Sequence, residues 1–327
     1  TTEISYGEFR NRDDILYVVI PEGVVSIGDF AFEGCTNLRS IVIPSSIASI
    51  GGTFSRCTSL ENVYYNGTIE NWCDIVFYFS FSNPMCYTKH FYMLDANNIY
   101  NEVTEIIIPD TITKIGDYQF YGFNNLISIT IPSTVTRIGD FAFSWCTKLT
   151  NIEVSNDNKN YKSIDGDLYS KDGKTLVLYA IGKKDKVFII PDTVTYINDF
   201  AFSSCRYLST ISIQSKVEYI SEKAIENCTS LINIEVSNDN ENYKSIDGNL
   251  YSKDGKTLIK YAIGKADIVF IISNNVYDID RYAFSGSSHL KKLILRKGTS
   301  INTICYNRCL WELTDIEIFV EANKDEV

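Results

Sequence analysis

Ile20-Pro21-Glu22-Gly23-Val24-Val25-Ser26-Ile27-Gly28-Asp29-Phe30-Ala31-Phe32-Glu33-Gly34-Cys35-Thr36-Asn37-Leu38-Arg39-Ser40-Ile41-Val42 returns along the chain, starting again at Ile43, Ile108, Ile131, Ile190, Ile213 and Ile272. Adjacent copies begin 23 residues apart. A pattern repeating at that period predicts a solenoid of stacked coils, each burying its apolar face against the next.

Within a repeat, apolar residues recur at relative positions one, four and six, as in Leu38/Ile41/Ile43, Leu126/Ile129/Ile131 and Leu208/Ile211/Ile213. Positions four and six alternate as a strand with one buried face does. Stacked at about 4.8 Å, such strands form a parallel sheet. Pro21, Pro44, Pro109, Pro132 and Pro191 follow the strands and end the ladder, because proline lacks an amide donor. Ile27-Gly28-Asp29-Phe30-Ala31-Phe32 reads as a turn into a short helical segment, with Ala31 and Phe32 facing the core.

The pattern I-P-x-x-V-x-x-I-G-x-x-A-F-x-x-C-x-x-L-x-x-I resembles the BspA-like class of bacterial leucine-rich repeats over seven copies. Partial copies at Ile15/Val18/Ile20 and Leu313/Ile316/Ile318 begin and end the stack. The linking segments Trp72-Cys73-Asp74-Ile75 and Ser163–Leu176 are also similar to ones in that family. The resemblance implies an α/β leucine-rich repeat solenoid, a right-handed superhelix with one continuous parallel sheet, short helical turns and β-hairpin inserts. It also implies adhesion or protein interaction at a cell surface or outside the cell. Gly51-Gly52-Thr53-Phe54 is shortened; Phe123 and Ser287 replace the cysteine, and Gln214 and Ser273 the proline.

We expect a single repeat domain over 1–327, with an N-terminal cap at 1–20 and inserts at 66–102, 155–189 and 237–271. A C-terminal partial repeat at 296–327 completes it. The insert 155–189 returns 82 residues later, identical at 29 of 35 positions, so one larger unit has been duplicated. Asp165-Gly166 and Asp172-Gly173 predict hairpin turns that protrude from the stack. Leu178 becomes Lys260 between the copies, so that position is expected to face outward and Val177 inward. The insert 66–102 is aromatic-rich, with Phe77-Tyr78-Phe79-Ser80-Phe81 at its centre. It reads either as a loop with a private core or as an exposed aromatic platform.

A net charge of −11 and a pI near 4.8 argue against nucleic acid and anionic lipid as partners. No apolar run is long enough to span a membrane, and the N-terminus lacks the features of a signal peptide. The surface or extracellular location that the resemblance implies would then place signal and anchor outside this chain. Cys35, Cys57, Cys146, Cys205 and Cys228 share one repeat slot and are expected to be buried free thiols. Cys73, Cys86, Cys305 and Cys309 lie outside it. The two histidines, His90 and His289, are far apart, and no catalytic or metal-binding motif occurs, so neither enzymatic activity nor a cofactor is expected. Asn156-Asp157-Asn158 and Asn238-Asp239-Asn240 only faintly resemble a calcium loop and read as Asx turns.

The outward strand positions are the candidate binding face, with Arg39, Glu61, Asn62, Tyr64, Ile127, Thr130, Asn151 and Glu153 as its named residues. The expected partner is a host or bacterial surface or extracellular protein. The alternatives are a glycan stacked on the 66–102 aromatics, reported by Trp72, or a spacer that binds nothing.

Overall fold

Each coil begins where proline predicts. The carbonyls of Pro21, Pro44, Pro109 and Pro191 accept the amides of Val24, Ile47, Ile112 and Val194, three residues on. Gln214 and Ser273 do the same toward Val217 and Val276, so the turn survives loss of proline. A computed structural model describes residues 2–273, 275–295 and 317–320, the last three by backbone alone. A regular coil supplies a strand to a front ladder and a short strand, two residues long outside the hairpin-bearing coils, to a side ladder.

The chain divides into two compact units, Thr1–Lys171 with Ala180–Gly182, and Asp172–Tyr179 with Lys183–Val327. In the first unit the front strands Tyr17–Val19, Ser40–Ile43, Asn62–Tyr65 and His90–Leu94 run parallel, and Tyr100–Glu102 closes the sheet antiparallel. A separate parallel sheet follows, Glu105–Ile107, Ser128–Ile131 and Asn151–Val154. The side ladder comprises Glu3–Ile4, Ser26–Ile27, Ser49–Ile50 and Val76–Phe77, then the separate pair Lys114–Ile115 and Arg137–Ile138. Residues 2–20 thus form a coil with strands in both ladders.

In the second unit the front strands form two parallel sheets. They are Val187–Ile189, Thr210–Ile213 and Asn233–Val236, then Val269–Ile272, Lys292–Leu295 and Glu317–Val320. The last of these is the described part of the expected terminal repeat; the remainder of 296–327, with Leu313, Cys305 and Cys309, lies outside the described residues.

The expected continuous sheet is therefore broken. The hairpin turn takes the next rung: the Gly166 carbonyl accepts the Ile152 amide at 2.9 Å, and Gly248 accepts Ile234 identically. The hairpins do not protrude. Leu168, Tyr169, Leu250 and Tyr251 are buried, and Thr257–Lys260 pairs parallel with Asp278–Ile279 in the side ladder. The alternation also runs opposite to expectation. Leu258 and Lys260 face inward and Ile259 lies half-buried. Lys260 is only 3% exposed because its stem is packed and its Nζ donates to the Tyr282 carbonyl at 2.7 Å.

The expected short helical segments are turns closed by i to i−3 bonds, such as Ala31 to Gly28, Cys35 to Phe32 and Leu38 to Cys35. Among the described residues the α-helix is Ile69–Asp74, capped by Thr68. Ala31 and Phe32 are buried as expected, and Phe9, Phe32 and Phe54 stack from coil to coil at 5.3 and 6.0 Å.

Three repeat residues are explained by stacking distance. A Cβ on Gly28, Gly51 or Gly139 would meet the preceding coil's backbone nitrogen at 2.9, 2.8 or 2.6 Å, so only glycine fits. The slot cysteines are buried and form no disulfide, and four of their thiols donate to carbonyls one coil back: Cys35 to Phe9, Cys57 to Phe32, Cys146 to Phe120 and Cys228 to Phe202, at 3.0–3.1 Å. A small apolar residue with one weak donor is what that position requires. Asn158 is fully buried as an Asx turn. Its Nδ2 donates to the Pro132 and Val135 carbonyls, and its Oδ1 accepts the Asn160 and Tyr161 amides. Asn240 repeats this network on Gln214, Val217, Asn242 and Tyr243, leaving neither amide free to bind a cation.

Candidate functional site

The front face of the first unit carries all eight residues expected from the sequence. On Ser40–Ile43 and Asn62–Tyr65 the even alternation leaves Val42, Asn62 and Tyr64 half-buried on the outer side, with Arg39 and Glu61 exposed at the strand starts. Ile127 is 44% exposed, Thr130 and Asn151 are half-buried and Glu153 is exposed. They occupy two neighbouring sheets rather than one. Register aligns Thr130 with Glu153, and Asn151 Nδ2 donates to Glu153 Oε1 at 2.9 Å.

The insert 66–102 extends this face. It is neither a loop laid on the stack nor a free platform. His90–Leu94 continues the front sheet in register, with Asn62 beside His90 and Tyr64 beside Tyr92. Its inward residues make the core: Trp72 is wholly buried against Tyr65, Phe77, Phe91 and Phe123, and its Nε1 donates to the Gln119 carbonyl at 2.9 Å. Trp72 is therefore unavailable to stack on a ligand. The outward residues make a surface. A row runs across the sheet from Val19 through Val42, Tyr64 and Tyr92 to Glu102.

Tyr100, from the neighbouring row, joins the two tyrosines of this one. Tyr64 stacks on Tyr92 at 4.9 Å and meets the edge of Tyr100 at 4.8 Å. Tyr100 is fixed by its hydroxyl, which donates to Asn66 Oδ1 at 2.5 Å. Beside them, His90 Nδ1 lies 2.7 Å from Glu102 Oε1, and Asn125 Nδ2 donates to the same oxygen. Asn125 thus links the two front sheets of this unit, and Lys148 Nζ, one coil further on, donates to Asn125 Oδ1 at 2.7 Å.

The site's ionisation follows from these contacts. Burial raises the Glu102 carboxyl, but the bonds from His90 and Asn125 and the nearby positive charge outweigh it, and the net shift is downward. Burial, then Glu102 and Tyr64, push the Tyr92 phenol up; burial and Tyr64 do the same for Tyr100. The face thus presents neutral phenols beside an ionised carboxylate. Among the described residues no three His, Cys, Asp or Glu side chains converge as a metal ion requires, and no helix is long and apolar enough to cross a membrane.

The sequence pointed to Tyr64 but missed Tyr92, Tyr100, His90, Glu102 and Asn125. The signal was present: Phe91 and Met93 carry the inward spacing of a front strand, with Tyr92 between them. The broken period hid it.

A comparison with curated proteins gives no match. Among solved structures the chain is similar to a leucine rich cell surface protein from Faecalibacterium prausnitzii, at 22% identity over 95% of this chain and 89% of that one, with a TM-score of 0.45. It is similar to a leucine-rich repeat protein from Eubacterium ventriosum at 22% identity over 95% and 73%, with a TM-score of 0.48. It is also similar to the pneumococcal vaccine antigen PcpA at 20% identity over 99% and 83%, with a TM-score of 0.49. The BspA type Leucine rich repeat region matches in six copies over residues 2–101, 95–172, 182–309 and 264–324. With that match, and with glycine, cysteine and proline in the roles the repeat gives them, the chain belongs to the BspA-type leucine-rich repeat family.

Proposed function

We propose that this chain is a binding scaffold without enzymatic activity, held at a cell surface or outside the cell, that grips a protein partner on its front face. The observation that carries this reading is the Tyr64–Tyr92–Tyr100 cluster on an open sheet, bordered by His90, Glu102 and Lys148. Pre-positioned aromatic rings supply contact area at little entropic cost, and such anchors dominate binding energy. Fixed polar groups around them add orientation. The partner is a host or bacterial surface or extracellular protein.

A pull-down from extracellular-matrix and mucosal extracts, followed by titration of the captured protein, tests this. Tyr64→Ala is expected to weaken binding at least tenfold, about 1.4 kcal/mol. Ser209→Ala with Ser212→Ala, at and just before the front strand Thr210–Ile213 of the other unit, should change little. Equal affinity in wild type and Tyr64→Ala would place the contact elsewhere, and no capture at all would favour the spacer.

A glycan-binding reading rests on different residues. Tyr78 and Phe79 of the insert are 59% and 46% exposed and line a shallow pocket of about 360 Å³ with Ser26, Asp29 and Ser49. Glycan-array signal lost in Tyr78→Ala and kept in Tyr64→Ala would support it.

A further inference from the structure

The side ladder of the first unit stops at Val76–Phe77 and restarts at Lys114–Ile115, and no strand joins the two edges among the described residues. The cause lies in the insert. After His90–Leu94 the chain reverses into Tyr100–Glu102 instead of passing to the side, so the front gains strands that have no side counterpart. A pocket of about 320 Å³ opens between the two edges.

Residues of both ladder edges line it. In the regular stack, Val25 and Ile27 turn their carbonyls to the next coil, which answers with the amides of Ala48 and Gly51. Ile75 and Phe77 occupy the first pair of positions, and Thr113 and Gly116 the second. None of these four groups has its backbone partner among the described residues. The separation is visible at the glycines. A Cβ on Gly116 would meet only the side chain of Gln119, where its counterparts Gly28, Gly51 and Gly139 meet the backbone of the coil before.

Gln119 itself departs from the repeat. The position is alanine in Ala31, Ala142, Ala201 and Ala283. Gln119 is 1% exposed and lines the pocket. Its Nε2 donates to the Trp72 carbonyl, while its Oε1 is buried with no donor. A buried acceptor left unpaired is costly, and a ligand N–H or O–H would satisfy it.

We infer that this gap is a binding slot for an extended peptide segment of a partner protein, which enters as the missing rung of the side ladder. One edge offers carbonyls and the other amides, which is the complement of a strand lying parallel between them. The outer rim, with Asp74, Lys114 and Asp117, leaves the slot open to solvent. This site goes beyond the front-face reading and does not depend on it.

The test uses the full chain and a library of blocked pentapeptides randomised at the three central positions, read by amide-resolved hydrogen exchange. A selected peptide is expected to slow exchange at Thr113 and Gly116 roughly tenfold, the signature of new backbone hydrogen bonds. N-methylation of alternate peptide amides should abolish the effect. Gln119→Ala restores the repeat's own residue, so it should fold, and should bind the selected peptide more weakly. Gly116→Leu should block binding, with thermal unfolding confirming that it is folded. Protection by N-methylated peptide, or protection that survives Gly116→Leu, would overturn the proposal. So would a library without effect on these amides, or a concentration-dependent dimer that protects them without peptide.

Discussion

Tyr92 lies face to face with Tyr64, ring centroids 4.9 Å apart and planes 16° from parallel, although Tyr92 belongs to the insert and Tyr64 to the coil before it. The stack exists because His90–Leu94 enters the front sheet in register with Asn62–Tyr65. Tyr92→Ala is expected to cost about 0.5–1.5 kcal/mol beyond the loss of buried area, the worth of an aromatic pair. Tyr92→Phe should cost little. Urea unfolding of both variants measures the difference; equal losses would mean that the hydroxyl, not the ring, matters.

The repeat register makes a sharper claim. Leu149 and Ile152 are buried, and Thr150 between them is exposed. Leu149→Ala and Ile152→Ala should each cost about 2–5 kcal/mol. Thr150→Ala should cost under about 0.5 kcal/mol. Calorimetry or urea melts showing three similar losses would break the inward-outward assignment.

The slot thiols Cys57 and Cys146, and Cys73 outside the slot, should be inert. Burial, and secondarily Cys35, pushes the Cys57 thiol up to about 12; burial, and then Asp74 and Glu70, pushes Cys73 to about 12; burial also drives Cys146 upward. The thiolate is the reactive form. Iodoacetamide at pH 8 should leave these three unmodified in native protein and label them in urea, as peptide mass spectrometry would show. Native labelling at Cys146 would contradict the packing.

Within the duplicated unit, Lys260 and Asp280 stand where the first copy has Leu178 and Asn198. Burial, with Glu222 and Asp278, raises the Asp280 carboxyl to about 6 against the pull of Lys260. A carboxyl whose folded value lies above its unfolded value favours folding when protonated. This contribution is fully present below the ordinary carboxylate range and is lost as pH rises toward about 6. Asp280→Asn should flatten that slope in a pH series of unfolding curves. The double change Lys260→Leu with Asp280→Asn reproduces the first copy, and should be neutral or stabilising by about 1–4 kcal/mol at pH 7. A cycle in which the double is the least stable variant would show that the charges are needed.

Glu102 has the opposite sign. Its lowered value contributes stability above the unfolded carboxylate pKa, lost as pH falls through the folded one. Glu102→Gln should remove that acid-side loss, which urea unfolding across a pH series would show as a flatter acid limb.

The coil was legible in the sequence because its causes are local. Leu38/Ile41/Ile43 fixes which face is buried, Pro21 where the ladder turns, and Gly28 where the next backbone must pass close. Even the duplicated insert announced its turns through Asp165-Gly166. What the sequence could not determine depends on which rung lies beside which. An Asn–Asp–Gly-rich hairpin is equally compatible with protruding or packing, and only the Gly166 carbonyl bound to Ile152 shows that it ends the front sheet. Lys260 reads as a surface residue until Tyr282 supplies the carbonyl that lets its stem be buried. The tyrosine cluster and the gap beside Gly116 have the same origin: an insert that adds two strands to the front ladder and only one, Val76–Phe77, to the side. Periodicity records contacts within one coil and its neighbour, whereas a mismatch between two ladders exists only once the coils are stacked.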